Sequence, residues 1–310
     1  MAKTKDSVWS IFAESVKLYF TNFPSLFKYM AFPVFGQILG ITLTLMAAYF
    51  YTLNLPKWII SGGVLDNFSL IFLILFIITL PGLLIFAKAF WDYLVAYGAI
   101  NSMVENMVKS GKVYDFPAHN ETVTRRTATF VGIWLLLALF VLIGGFPLFW
   151  VIAGIMWIYF ILVFQVFAFE PDKSVLGCFQ KSVHIIKGNF ARTLGLVILL
   201  FTLTYWLLPN LIEFLFDLIK VIEFLTIPVD IWVQQLPIDE INKLLLQTPT
   251  AYQITSLFIA KTIISGTLSY IVMGLTLPLR SICCALWYKV LNKGEVKLDK
   301  KILDRATKGE

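Results

Sequence analysis

Three charged residues lie within long apolar runs of the chain, where an ionisable group could bind a substrate or carry a proton. Lys88 and Asp92 are four residues apart, so a helix places them on one face, and Arg280 lies in a later run. Each position is close to the inner end of its run, where long cationic side chains reach the membrane surface. The pattern predicts that these residues are mutual structural anchors and do not line a transport path.

The other residues that could do chemistry form no recognised motif. His119 and His184 are far apart, Cys283 and Cys284 are adjacent, and Cys178 stands alone. This spacing fits neither a zinc site nor a disulfide framework. Phosphate-binding, nucleophile-elbow, zinc-protease and dinucleotide motifs are absent from the sequence. We therefore predict that the chain is not an enzyme and has no metal, no cofactor and no nucleic-acid partner.

The composition is that of a membrane protein. Of 310 residues, 59% are hydrophobic and 14% are charged, whereas soluble domains have about 45–50% apolar and about 25% charged residues. The mean hydropathy is +0.82. These values exclude a disordered chain, a disulfide scaffold and most soluble enzymes. Helices are the expected elements because an open sheet leaves unpaired backbone groups in lipid, so we predict an all-α integral membrane protein.

Six apolar runs reach the length of about 20 residues that a membrane-spanning helix needs. The predicted spans cover about 29–53, 68–100, 127–144, 148–169, 190–208 and 254–291. A turn at 144–147 separates the third span from the fourth, and Pro209 is predicted to end the fifth. Gly36 and Gly40 form a GxxxG pattern, which favours close helix packing within the chain over a dimer interface.

Basic residues are distributed unequally between the two sides of these spans. With the amino terminus inside, the inner segments hold 19 of the 25 lysine and arginine residues and the outer segments hold four. Basic residues accumulate on the cytoplasmic side of membrane proteins. The sequence therefore predicts a multi-pass membrane protein with both termini in the cytoplasm.

An internal repeat is the most specific pattern in the sequence. Residues 7–23 and 174–190 align without gaps, with seven identities in seventeen positions: Ser7/Ser174, Val8/Val175, Phe12/Phe179, Ser15/Ser182, Val16/Val183, Asn22/Asn189 and Phe23/Phe190. In each copy apolar residues recur every three to four positions, which is typical of one face of a helix. With cations beside that face, the pattern predicts two amphipathic helices in the membrane interface.

Each predicted surface helix is followed by an elbow that leads into a span. In the second copy Gly188 suits a left-handed helix stop, and Asn189 suits the cap of the next helix. Asn22 and Phe23 occupy the corresponding positions of the first copy. We expect both surface helices at the inner interface.

The repeat predicts an organisation for the whole membrane domain, residues 1–310. A first unit covers about 7–113, a degenerate middle pair of spans covers about 118–170, and a last unit covers about 174–296. The two full units have the same orientation, which makes the repeat parallel. Residues 209–250 are predicted to form an amphipathic outer insert, and residues 292–310 a cytoplasmic tail.

The second elbow resembles a signature of bacterial membrane proteins, on the residues Ser182, Lys187, Gly188, Asn189 and Phe190. It is similar to the membrane domain fused to some glycerophosphoryl diester phosphodiesterases and to small YciC-like inner-membrane proteins. In the fused enzymes a separate soluble barrel hydrolyses glycerophosphodiesters, and this chain has no such barrel. The resemblance implies a multi-pass module of the bacterial cytoplasmic (inner) membrane without hydrolase activity.

Two functions remain open at this point. The first is a non-enzymatic membrane protein that organises lipids or a membrane-protein partner. The second is a transporter or channel for a small or lipid-like substrate, which requires a polar path through the middle of the membrane. Gln37, Gln165 and the scattered Thr and Ser residues offer little of such a path.

Overall fold

The computed structural model describes residues 7–62, 68–113, 116–236, 238–245 and 254–292, and the regular elements in these ranges are helices. They are α1 (Val8–Thr21), α2 (Phe23–Gly62), α3 (Phe68–Ser110), α4 (Phe116–Thr124), α5 (Thr127–Gly144), α6 (Trp150–Phe160), α7 (Val163–Phe169), α8 (Val175–Ile186), α9 (Phe190–Phe201), α10 (Leu208–Leu218), α11 (Val221–Val233), α12 (Ile238–Leu245), α13 (Ser256–Leu275) and α14 (Leu277–Leu291).

Six helical stretches are long and apolar enough to cross a membrane, which confirms the predicted all-α membrane fold. They are Phe23–Asn54, Ser69–Ser110, Thr127–Gly144, Pro147–Phe169, Phe190–Leu218 and Ser256–Leu291. A short 3₁₀ turn, Pro147–Phe149, joins α5 to α6 at the predicted position. The predicted tail from residue 293 onwards lies outside the described residues.

The predicted end of the fifth span at Pro209 is wrong. A π-helical segment, Thr202–Leu207, follows α9, and the Leu208 N–H bonds to the carbonyl of Leu203, five residues earlier. Proline has no N–H to donate, and a π-type bulge shifts the hydrogen-bond pattern at such points. Pro209 then lies in the first turn of α10, so the helix continues to Leu218.

The chain divides into two compact units. The first unit comprises residues up to Ile198 and from Leu277 onwards. At its centre, the carboxyl half of α3 packs against α7 and α14, and these three segments contain most of the buried side chains. They bring together residues that are far apart in the sequence.

One packing relationship occurs three times in the first unit. Helix α4 packs against α3, α8 against α7, and α1 against α14. In each case a short helix packs against an apolar helix, and in the first two cases that apolar helix precedes the short helix by a few residues. The six segments together are called the basal layer below.

Helices α2 and α3 form a closely packed hairpin. A Cβ atom on Gly40 would lie 2.5 Å from the backbone nitrogen of Phe86, and one on Gly82 would lie 2.8 Å from the carbonyl oxygen of Gly40. A Cβ atom on Gly36 would lie 2.8 Å from the Cβ atom of Ala89 in α3. The GxxxG pattern therefore serves packing within the chain, as predicted.

The second unit comprises Leu199–Thr276 and contains the predicted outer insert. Helices α10 and α11 both pack against α13, and the chain reverses between them at Lys220, which has a left-handed φ of 59°. The Ser265 hydroxyl donates a hydrogen bond to Glu213, joining α13 to α10. The described part of the predicted amphipathic insert is thus a helical hairpin followed by α12, and residues 237 and 246–250 lie outside the described residues.

Candidate functional site

The two copies of the repeated segment form helices that begin in the same way. Ser7 precedes α1, and its hydroxyl accepts a hydrogen bond from the N–H of Ser10. Ser174 precedes α8, and its hydroxyl accepts from the N–H of Gly177. A serine at this position satisfies one of the unpaired N–H groups of a first helical turn. One identity of the sequence repeat is therefore a matched pair of helix caps.

A second matched pair is buried in both helices but makes different bonds. Ser15 donates to the carbonyl of Ile11 in its own helix, at 2.6 Å. Ser182 donates to the carbonyl of Tyr159 in α6, also at 2.6 Å. Both hydroxyls are fully buried. Ser182 thus links α8 to the preceding apolar helix, whereas Ser15 makes no such link through this bond.

The elbow after α8 differs from its prediction at Gly188. Lys187 ends α8 in a right-handed conformation, and among the described residues the glycine with positive φ is Gly111, not Gly188. The Asn189 N–H bonds to the carbonyl of Ile186, so the chain turns without a left-handed residue. The carbonyl of Asn189 then accepts the first hydrogen bond of α9, from Thr193.

The side chains of this elbow contact the basal layer. Arg192 donates to the side-chain oxygen of Asn189 at 3.4 Å and lies over the ring of Trp287 in α14, 5.0 Å from its centroid. The Trp287 indole N–H donates to Thr193. Phe190 packs on Tyr159 with ring centroids 5.2 Å apart. These contacts fix the start of α9 against α14 and α6.

The first elbow has its own anchor in Asn22. Its amide donates to the carbonyl of Leu18 in α1 and to the carbonyl of Gly111, at 3.0 and 3.2 Å. Gly111 has a φ of 75°, the left-handed conformation that glycine adopts at helix ends. Phe23 packs against Tyr19, with centroids 5.6 Å apart. Asn22 therefore ties the start of α2 to the end of α3.

The charged residues of the spans do not form one cluster. Asp92 makes its ion pair with Lys88, and within the described ranges no ion pair joins Asp92 to Arg280. Arg280 instead lies near Tyr19 of α1: burial raises the pKa of Tyr19 to about 12, and the charge of Arg280 opposes that rise. The structure thus shows the pairing of Lys88 with Asp92, and the structural anchoring role of the three charged residues stays a prediction.

A buried polar network around His119 has no counterpart in the predicted site. Its Nδ1 lies 2.8 Å from the Ser102 hydroxyl, and its Nε2 lies 3.1 Å from the Asn106 amide nitrogen. Ser102 also donates to the carbonyl of Ala99. The histidine and the serine are almost completely buried. The network therefore joins α4 to α3.

A second polar contact joins α7 to α3. The Gln165 amide donates to the side-chain oxygen of Asn101 at 2.9 Å, and both residues are buried. Asn101 in turn donates to the carbonyl of Tyr97. This pair fixes the relative height of the two helices, because each bonded atom belongs to a short, buried side chain.

Two glutamates join α14 to its neighbours. Glu105 of α3 accepts from Lys289 at 2.6 Å and pairs with Lys109 at 3.2 Å. Glu170 accepts from the Tyr288 hydroxyl at 2.6 Å and lies 3.5 Å from Lys181 of α8. The carboxylates are largely buried, and such groups persist in a protein interior only when they are paired. These contacts therefore hold α14 against α3 and α7.

Arg126 forms hydrogen bonds with two backbone carbonyls that lie 41 and 47 residues later in the chain. Its guanidinium donates to the carbonyls of Phe167 and Lys173, at 2.6 and 2.7 Å, and lies 4.5 Å from the centroid of the Phe167 ring. Nearby, burial raises the pKa of the Cys178 thiol to about 11, with Arg126 lowering it only in part. At neutral pH that thiol is protonated and therefore a weak nucleophile.

The polar side chains of the basal layer join its helices to one another. Within the described ranges, the His, Cys, Asp and Glu side chains form no group that could hold a metal ion. His119, Gln165 and Glu105 are buried and bond to residues of neighbouring helices. Comparison of the chain with protein-family models, with curated proteins and with solved structures finds no match in any of the three.

Proposed function

We propose that the chain is a non-enzymatic, multi-pass protein of the bacterial inner membrane that organises lipids or membrane partners, as a module related to the YciC-like proteins. The observation that carries the proposal is the two-sided character of α1 and α8. Each helix buries one face against the rest of the basal layer, through Ile11 and Ser15 in α1 and through Cys178 and Ser182 in α8.

The opposite sides of these helices combine apolar and cationic groups. Trp9 and Phe20 are exposed on α1 together with Lys17, and Leu176 is exposed on α8 with Lys187 beyond its end. An exposed apolar side chain beside a cation is typical of a helix that lies among lipid headgroups. In this proposal both helices lie at the cytoplasmic surface, with both termini inside.

Polar groups within the apolar hairpin support this function over transport. Gln37, Thr44 and Thr79 donate to carbonyls of their own helices. The close approach of Gly40 and Gly82 leaves no room for a side chain between α2 and α3. A transport path needs polar groups that face a shared opening, and these groups instead satisfy local backbone carbonyls.

The experiment that tests the proposal measures lipid selectivity. Spin-labelled phosphatidylglycerol and phosphatidylcholine report, by electron paramagnetic resonance, how strongly each lipid associates with the full chain in bilayers. A basic residue near an anionic surface contributes about 1 kcal/mol, so Lys17→Gln and Lys187→Gln should each lower the preference for phosphatidylglycerol about fivefold. Lys220→Gln is the control, since Lys220 is paired with Glu223 in another hairpin. Unchanged selectivity in both variants would contradict the proposal.

A further inference from the structure

We propose that the first unit is a closed cycle of three equivalent modules, and that α1 is the clasp that closes this cycle by packing on α14. Each module contains a surface helix, an elbow, an apolar helix that starts at the elbow, and a returning apolar helix. The inference concerns how the first unit is held together. It does not depend on the lipid selectivity of α1 and α8, so either proposal can fail alone.

The modules follow from the order of the helices along the chain. The first module contains α1, α2 and α3, the second contains α4 to α7, and the third contains α8, the start of α9, and α14. Residues 199–276, which form the second unit, come between α9 and α14 in the sequence. The returning helices α3, α7 and α14 contact one another in all three pairs. This assignment makes the middle pair of spans a full module, whereas the sequence predicted a degenerate one.

The three surface helices bury equivalent positions. The helix after each elbow begins at Phe23, Thr127 or Phe190. The eighth residue before that start is buried in every module: Ser15, His119 and Ser182. The fourth residue before it is also buried: Tyr19, Val123 and Ile186. Beyond the elbow, the third residue after the start is buried as well: Leu26, Phe130 and Thr193. The alignment of the first and third modules therefore extends to the second, although the residue identities do not.

The residue at the eighth position is polar in all three modules, and it bonds to the apolar helices of the preceding module. The His119 ring bonds to two side chains of α3. Ser182 donates to the carbonyl of Tyr159, in the apolar stretch formed by α6 and α7. A hydrogen bond joins the Ser15 hydroxyl to the Cys283 thiol of α14. For α1, the module that precedes it in the cycle is therefore the third.

Each elbow contacts the returning helix of its own module. Asn22 donates to the carbonyl of the residue that directly follows α3. Arg126 donates to the carbonyl of Phe167 in α7. In the third module the donor lies on the returning helix, since Trp287 of α14 donates to Thr193 of α9. The bonds differ in chemistry, but they join the same two elements in each module.

The contact between α3 and α4 shows how a surface helix packs on a returning helix. His119 bonds to Ser102 of α3. Val123, one turn later in α4, lies over Gly98, which comes one turn earlier in α3: a Cβ atom on Gly98 would lie 2.7 Å from a Val123 methyl carbon. The contacts thus run in opposite sequence directions along the two helices, which lets a short connection join them.

The clasp has the same order of contacts without a short connection. Cys283 lies opposite Ser15. Arg280, about one turn earlier in α14, lies near Tyr19, one turn later in α1. This order places the end of α14 and the start of α1 at the same end of their contact. Helix α1 thus takes the position on α14 that α4 takes on α3, and side-chain packing alone closes the cycle.

Disulfide trapping tests the clasp. Ser15→Cys is made in the full chain together with Cys284→Ser, which leaves Cys283 as the thiol opposite the new cysteine, and membranes are oxidised with copper phenanthroline. A disulfide requires Cα atoms within about 7 Å of each other. We therefore expect mass spectrometry to show peptides linked through residues 15 and 283, and a higher midpoint of thermal unfolding for the linked chain.

Phe20→Cys in the same background is the matched control, because Phe20 is exposed on the same helix. It should form no link to Cys283. Absence of the link in Ser15→Cys, or equal linkage in both variants, would overturn the clasp.

A circular permutant tests the equivalence of the modules. The permuted chain begins at Tyr114 and ends at Val113, and residues 293–310 followed by 1–6 connect α14 to α1. This change opens the contact between α3 and α4 and gives the clasp a covalent connection. If the contacts are equivalent, the permutant should unfold in detergent within about 4 °C of the native chain, the shift expected of a minor change in stability.

A second permutant, opened at an elbow, is the control. It begins at Thr127 and ends at Arg126, so the cut falls inside a module, and we expect it to unfold at a clearly lower temperature. A first permutant that is no more stable than this elbow permutant would overturn the equivalence of the three modules.

Discussion

Replacing Gly40 by leucine is expected to push α2 away from α3 and to destabilise the folded chain. The nearest atoms to a new Cβ belong to the backbone of α3, at 2.5 Å for the Phe86 nitrogen and 2.8 Å for the Gly82 oxygen. Backbone atoms in a packed hairpin cannot move aside as a flexible side chain does. Overpacking typically costs about 1–3 kcal/mol, and we expect at least the upper value here, measured as the midpoint of thermal unfolding after purification in detergent.

Gly154→Leu is the matched control for this prediction. Gly154 also lies in an apolar helix, and no heavy atom lies within 4 Å of a Cβ built on it. Because glycine inside a helix is less stable than leucine by up to about 1 kcal/mol, the control should unfold at an equal or slightly higher temperature. Equal effects of the two substitutions would contradict the proposed packing of α2 on α3.

Arg126→Ala is expected to have the second largest effect. The substitution removes two hydrogen bonds from a charged donor to the carbonyls of Phe167 and Lys173, together with the contact to the Phe167 ring. A hydrogen bond to a charged group contributes about 1.5–3 kcal/mol. We expect a loss of about 3 kcal/mol in unfolding free energy, measured by denaturant titration in mixed micelles.

The neighbouring arginine supplies the control. Arg125 forms an ion pair with Glu121 within the same short helical segment, and both side chains are substantially exposed. Exposed pairs of this kind contribute about 0–1 kcal/mol, so Arg125→Ala should have little effect. If Arg125→Ala were as destabilising as Arg126→Ala, the lost stability would reflect the removal of a positive charge from this segment and not the specific bonds of Arg126.

The apolar helices could be predicted from sequence because length and composition determine them. The run from Thr127 to Gly144 was predicted to the residue, since uncharged residues fill it and Arg126 precedes it. Pro209 was misleading because a missing N–H has two structural solutions, a helix end or a shifted hydrogen-bond pattern. The residue type alone does not decide between a helix end and a shifted hydrogen-bond pattern, because the outcome depends on the helices against which α10 packs.

The surface helices were predictable in part. Ser7 and Ser174 were recognised as equivalent by alignment, and the structure adds that both are helix caps. Gly188 was assigned a left-handed conformation that the turn does not use. Whether Gly188 needs positive φ depends on the path from α8 into α9, and residue type alone does not fix that path. The internal repeat itself stays a prediction, supported by the three similar packing pairs of the basal layer.

The polar network of the basal layer could not be assembled from sequence. His119, Gln165 and Arg126 lie on different segments, and no motif spacing connects them to Ser102 or Asn101. The sequence does contain one indication of such a network. Four polar residues occur within six positions of a helix that continues an apolar run: Asn101, Ser102, Glu105 and Asn106. Polar residues at that density in a buried helix indicate bonding partners on neighbouring helices, although they do not identify them.

The most direct test of the central claim is the membrane depth of α1 and α8. Spin labels on Phe20→Cys and Leu176→Cys, two exposed positions of these helices, report depth by electron paramagnetic resonance through collisions with oxygen, which partitions into lipid, and with a nickel chelate, which stays in water. The three native cysteines are buried. We predict the same interfacial depth for both labels, in the same leaflet. High nickel and low oxygen accessibility at either label, or labels in opposite leaflets, would contradict the account.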